Sequence, residues 1–207
     1  MTRPAWFPDW SGERAVIIAS GPSAKDAPLW LTKGRVRVIA INNSWRLAPW
    51  ADALYACDRE WWETGAGDGF KGLKISPAEW PGVHRVGLAG YEGAWSNDMQ
   101  FDEPGVIGAG AGSGFQALNL AVQFGCRRIA LVGFDARVDR GLHWHGAHEG
   151  GLKNPMLCTA ALWARYLDAA APALKARGVD VVNCSPVSAV TAYRKASLSD
   201  AMALEAA

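Results

Sequence analysis

No stretch of this 207-residue chain holds 18 consecutive apolar residues, so the sequence offers no transmembrane helix. Its first ten residues, MTRPAWFPDW, lack the apolar core of a secretory signal, and the expectation is a cytoplasmic protein. Excess charge is also missing. Lys and Arg number 21 against 20 Asp and Glu, a net charge of +1, which gives no electrostatic ground for nucleic acid or an anionic membrane as partner. The four cysteines (Cys57, Cys126, Cys158, Cys184) contain no C-x-x-C and read as reduced, mostly small core residues. Three catalytic signatures are absent as well. There is no G-x-x-x-x-G-K-[ST] phosphate loop and no G-x-S-x-G hydrolase elbow. The first glycine turn, SGPSA, departs from G-x-G-x-x-G, and Asn42 stands where a nicotinamide dehydrogenase carries an acidic residue after its second strand.

What is present starts at Ala15–Lys25, AVIIASGPSAK. Four apolar residues bounded by Gly and Pro suit a strand buried on both faces. The turn Ser20-Gly21-Pro22 follows, and Ser23 with Asp26 forms the S-x-x-D pattern of a helix start. Strand, turn and helix start together aim backbone N–H groups at one spot, where an anion would fit; a plain βα turn that binds nothing reads equally well.

The rest of the chain repeats the alternation. The first helix runs to about Lys33; RVRVIAI (35–41) is a second strand stopping at Asn42-Asn43, and DALYAC (52–57) a third, ending at Asp58. Residues 65–105 form an irregular, Trp-rich insertion with short strands near Leu73–Ser76 and Val83–Leu88, and mostly loop from Tyr91 to Gly112. Order returns with a helix from Ser113 closed by Gly125, then a buried strand (129–132) ending in Gly133 and Asp135. A histidine-rich loop (137–154), a long helix from Pro155 to about Arg177, a last clear strand VDVVNCS and a short terminal helix complete it. The fold class is α/β: one domain, a three-layer, Rossmann-like, mostly parallel sheet. In such sheets ligands sit beyond the carboxyl ends of the strands. Those ends carry Ser20–Ser23, Asn42, Asp58, Gly133 with Asp135, and Asn183 with Ser185, while Ser113-Gly114 opens a second helix N-terminus.

Two groups of residues stay open on chemistry alone. His143, His145 and His148 form H-x-H-x-x-H, which suits a metal, a general base or phosphate contact, or ordinary packing. No histidine follows His148, so the metallo-β-lactamase arrangement is incomplete, and no residue is assigned as a metal ligand. Eleven tryptophans, among them Trp45, Trp50, Trp61, Trp62, Trp80 and Trp95, read as packing or as an aromatic wall for a base or sugar ring.

In their order, VIIASGPSAK, VIAINNSW, YACD, GSGFQALNLAVQFGCRRIALVGFDA and VVNCSPVS resemble the bacterial sialyltransferases of the Campylobacter type. They also resemble the related 6-hydroxymethylpterin pyrophosphokinase-like and flagellin-glycosylation (Maf) proteins, and the chain looks like bacteriophage proteins of this architecture. The resemblance implies a nucleotide or nucleotide sugar held by Ser20, Gly21, Pro22, Ser23, Asn42, Asp58, Ser113, Gly114, Asn183 and Ser185. His148 is first choice for the catalytic base, with His145 and His143 next and Asp135 beside them. Departures are plain: Ser20 replaces the family's asparagine. Only seven residues separate Asp135 from His143, where the sialyltransferases carry a long lid with tyrosines, which argues against sialic acid as the donor. The expected activity is a nucleotide-donor glycosyltransferase with an unknown acceptor. The alternatives are ATP-dependent pyrophosphate transfer, with Asp58 and Asp135 holding Mg²⁺, and a non-catalytic nucleotide-binding phage accessory protein.

Overall fold

A computed structural model describes residues 3–91, 93–148 and 151–203. Its centre is an eight-stranded, wholly parallel sheet. The strands are β1 (Arg14–Ile18), β2 (Arg37–Ile41), β3 (Ala53–Tyr55), β4 (Leu73–Ser76) and β5 (His84–Arg85). Four short strands follow: β6 (Gly87–Leu88), β7 (Gly90–Tyr91), β8 (Ala94–Trp95) and β9 (Val106–Ile107). Then come β10 (Arg128–Val132), β11 (Asp180–Asn183) and β12 (Arg194–Lys195). The spatial order is β12-β11-β10-β1-β2-β3-β4-β5. The chain therefore builds outward from β1 in one direction, returns, and builds outward from β10 in the other. Adjacent β1 and β10 mark the reversal, where loops from their carboxyl ends diverge and leave a crevice.

Alternation along the strands explains the layers. Ala15 and Ile17 of β1 enter one core with Ile39, Ile41 and Ile129, and Val16 and Ile18 enter the other with Val38, Ala40 and Ala130. The first core is covered by α2 (Ser113–Gln123), through Phe115, Leu118 and Ala121, and by α3 (Leu157–Ala176), through Leu167 and Leu174. The second is covered by α1 (Arg59–Glu63), α4 (Leu198–Ala203) and short 3-10 turns, which bury Trp61, Trp62, Met202 and Leu29. This is the three-layer α/β class expected.

Several elements differ from the sequence reading. The helix expected from Ser23 to Lys33 is two 3-10 turns, Pro22–Asp26 and Leu29–Thr32. Pro28 between them has no N–H and pushes Ala27 out of the helical region, so a regular helix cannot pass. Within the 65–105 stretch the short strands expected near Leu73–Ser76 and Val83–Leu88 are present as β4 and as β5 with β6, and β4 and β5 extend the main sheet. α1 was not anticipated, and β12 adds a strand beyond the last one expected. Helix α3 starts at Leu157 with Pro155 just outside. Tryptophan serves mostly packing: Trp45, Trp50 and Trp80 lie against the second core beside Trp61 and Trp62, whereas Trp95 is exposed. Among the described residues, no helix is long and apolar enough to cross a membrane.

Candidate functional site

Gly21 and Gly133 bring the ends of β1 and β10 together. The Gly21 N–H donates to the Gly133 carbonyl at 2.9 Å, and Gly133 takes a left-handed φ of 72°. Directly beyond this seam lies a cavity of about 380 Å³. Its floor is the seam itself with Ser20; Asn42, Cys57 and Asp58 bring the ends of β2 and β3. One wall is the start of α2 at Gly112-Ser113-Gly114, and another the start of α3 with Thr159 and Trp163. The loop carrying Arg137, His143, His148 and Lys153 closes the third side.

Chemistry in this cavity is polar at a few points. No side chain caps the first turn of α2, and the residues that open it line the cavity at the positive end of the helix dipole. Gly112 is required by closeness, because a Cβ there would lie 2.8 Å from Trp163 Nε1, which donates to the Ala111 carbonyl at 2.9 Å. Asn42 sits in the left-handed region at φ 49°, and its Oδ1 is buried without a partner. His143 Nε2 is the second such atom. Among the described residues three buried side-chain atoms lack a partner, and two of them, Asn42 Oδ1 and His143 Nε2, belong to residues lining the cavity; the third is Arg37 Nε. Cys57 faces the same space, its thiol pushed up to about 12 by burial and then by the charge of Asp58, so it is a thiol and not a thiolate at neutral pH.

The three loop histidines meet. Ring centroids are 5.1 Å apart for His143–His145, 4.4 Å for His143–His148 and 5.1 Å for His145–His148. Burial, reinforced by its two neighbours, lowers His143 to about 4. Burial first, then His148 and Arg46, lowers His145. For His148 burial lowers the value while the carboxylate of Asp58 works against it. Trp144 pins the loop: its backbone N–H donates to the Ser20 carbonyl at 2.9 Å and its Nε1 to Ser44 Oγ at 3.2 Å.

The sequence-predicted residues divide in two. Ser20, Gly21, Asn42, Asp58, Ser113, Gly114, His143 and His148 surround the cavity. Pro22, Ser23, Asp135, Asn183 and Ser185 do not. Ser23 does not form the expected helix cap; its N–H and Oγ both donate to the buried Asp135 carboxylate, the N–H at 2.9 Å. That carboxylate occupies the very turn expected to hold an anion, and it stands off the cavity wall that Asp58 lines. Asn183 Oδ1 accepts from the Ser185 N–H at 3.0 Å, and Ser185 Oγ accepts from the Phe134 N–H at 2.8 Å; both side chains are spent on backbone behind the site. His145 also lies off the wall, its Nε2 3.2 Å from Asn43 Nδ2. Cys57, Arg137, Lys153, Thr159 and Trp163 were missed. Only the K-N-P before α3, a basic and amide pair at a helix start, carried a signal for any of them.

A parallel, doubly wound sheet with its cavity at the strand reversal defines a Rossmann-like α/β protein. At the sequence level the chain matches no protein family and no curated protein. Among solved structures it is similar to the sialyltransferase CstII from Campylobacter jejuni, determined with a substrate analogue, cytidine-5'-monophosphate. The TM-score is 0.57 at 11% identity, covering 90% of this chain and 86% of that one. At that identity the likeness is one of fold.

Proposed function

We propose that this chain is a transferase that draws on a nucleotide-linked donor, a nucleotide sugar, bound in the cavity at the β1–β10 reversal. One observation carries the reading: two partnerless buried polar atoms, Asn42 Oδ1 and His143 Nε2, border a cavity into which the uncapped start of α2 also opens. Asn42 Oδ1 accepts from a base or ribose donor. The α2 N–H groups, with Lys153 and Arg137 nearby, take the phosphate whose charge grows as the glycosidic bond breaks. The acceptor hydroxyl is activated by the histidine cluster. His148 is the member that both lines the cavity and feels Asp58, and its lowered pKa leaves it a neutral base at neutral pH. The fold likeness to a sialyltransferase solved with cytidine monophosphate supports this reading. Pyrophosphate transfer is less favoured, because Asp135 is engaged with Ser23 and stands off the wall.

A thermal-shift panel of CMP, UDP, GDP and ATP tests it. One nucleotide at a hundredfold excess over its Kd should stabilise the protein by about 2.7 kcal/mol. Asn42→Ala should remove most of that shift. With the matching nucleotide sugar, His148→Asn should keep binding and cut nucleotide release by a factor on the order of 100 or more. A flat response to the whole panel would sink the proposal.

A further inference from the structure

We infer that His143, His145 and His148 form a binding site for one divalent transition-metal ion of the zinc class, with an open position facing the cavity. One potential ligand nitrogen of each ring lies within 4.8 Å of the other two. Tetrahedral zinc, with bonds of about 2.0–2.1 Å, separates its ligands by roughly 3.4 Å, so closure asks for inward movement of about an ångström, within reach of side-chain rotation. The backbone prepares the approach. Residues 143–146 form a turn, closed by the Gly146 N–H donating to the His143 carbonyl at 3.1 Å, and the rings of His143 and His145 stack at 13°. Gly146, at φ 89°, reverses the chain so that His148 returns to the same side.

His143 Nε2 is buried and makes no hydrogen bond, so it is the ring nitrogen open to a cation. At His145 the amide of Asn43 is oriented by Trp61, whose Nε1 donates to Asn43 Oδ1 at 3.2 Å. Asn43 Nδ2 therefore donates to His145 Nε2, and that lone pair is available to a cation in the amide's place. The His148 backbone is tied by Asn154 Oδ1 at 2.7 Å, and Asp58 supplies negative charge beside the ring. Three imidazoles without a thiolate suit zinc, cobalt, nickel or copper better than magnesium or calcium. His143 and His148 border the cavity, so the fourth position opens there, as in catalytic zinc centres.

This inference stands on the histidine geometry and not on the transferase reading. Should both hold, His148 is a ligand instead of a free base, and the metal acidifies the hydroxyl bound at its open position. The test is a titration of the 207-residue chain, stripped with chelator and free of nucleotide, with Co²⁺ alone. One equivalent should give the visible absorption of four-coordinate cobalt, displaced by Zn²⁺. His143→Asn, His145→Asn and His148→Asn should each weaken uptake by a factor on the order of 100 or more. His84→Asn, at the remote histidine stacked on Trp6 at 5.0 Å, should leave it unchanged. Circular dichroism checks the fold of each variant; where one fails to fold, the unsubstituted protein decides alone. Absence of a one-equivalent four-coordinate spectrum, or uptake surviving all three substitutions, overturns the inference. The nucleotide panel, run on metal-free protein, can fail or succeed independently.

Discussion

At the scale of single residues, the tightest constraint is Gly21. A Cβ there would collide with the Gly133 carbonyl and lie 2.8 Å from the Asp135 carboxyl carbon. The first is strand-end backbone and the second is buried and fixed by Ser23, so neither can yield. Gly21→Ala should therefore cost about 3 kcal/mol, seen as a lower midpoint in urea at unchanged slope. The same residues show why Ser23 does not open the expected helix. The pattern S-x-x-D is satisfied in sequence by Asp26, but Asp135, 112 positions away, takes the Ser23 N–H instead. No local pattern announces a partner that distant.

At the scale of elements, legibility followed the source of stabilisation. β1, β2, β3, β10 and β11 were readable because buried parallel strands are largely apolar runs. Helix α2 was readable from its apolar face and Gly125. The crossover between β5 and α2 was not, because polar side chains hold it. Asn119, fully buried, accepts from the N–H groups of Gln100 and Gly108 at 3.0 Å each and donates to the Gln100 carbonyl at 2.6 Å. Polar anchoring leaves no hydrophobic period to read. Of the candidate site, the residues at strand ends were found except Cys57, and those on α3 were not, since the seating of α3 on the sheet depends on contacts across the whole fold. Helix α3 also carries a local conflict: Pro172 lies inside it and is exposed, so one helical hydrogen bond is lost without a packing gain. Pro172→Ala should add about 2 kcal/mol, read as a higher Tm with the site unaffected.

At the scale of the whole molecule, burial makes the folded state hold thiol protons more tightly than the unfolded chain. Burial pushes Cys57 and Cys126 up to about 12 and Cys184 to about 11, from an ordinary value of 9.0. A value raised by folding stabilises fully below the unfolded pKa and ceases to as the pH climbs through the folded one. Stability should thus fall between about pH 9 and about pH 12. Cys126→Ala should lose less over that interval than the unsubstituted chain, in denaturant melts at stepped pH. A different consequence follows from Trp144, anchored through Ser20 and Ser44 to the ends of the central strands. The imidazoles ride on the rigid frame, whereas Met156, Thr159 and Trp163 line the same cavity from the start of α3. On the transferase reading proposed above, altered acceptor choice in descendants of this protein should then be written into the opening turns of α3, with the histidine segment left as it is.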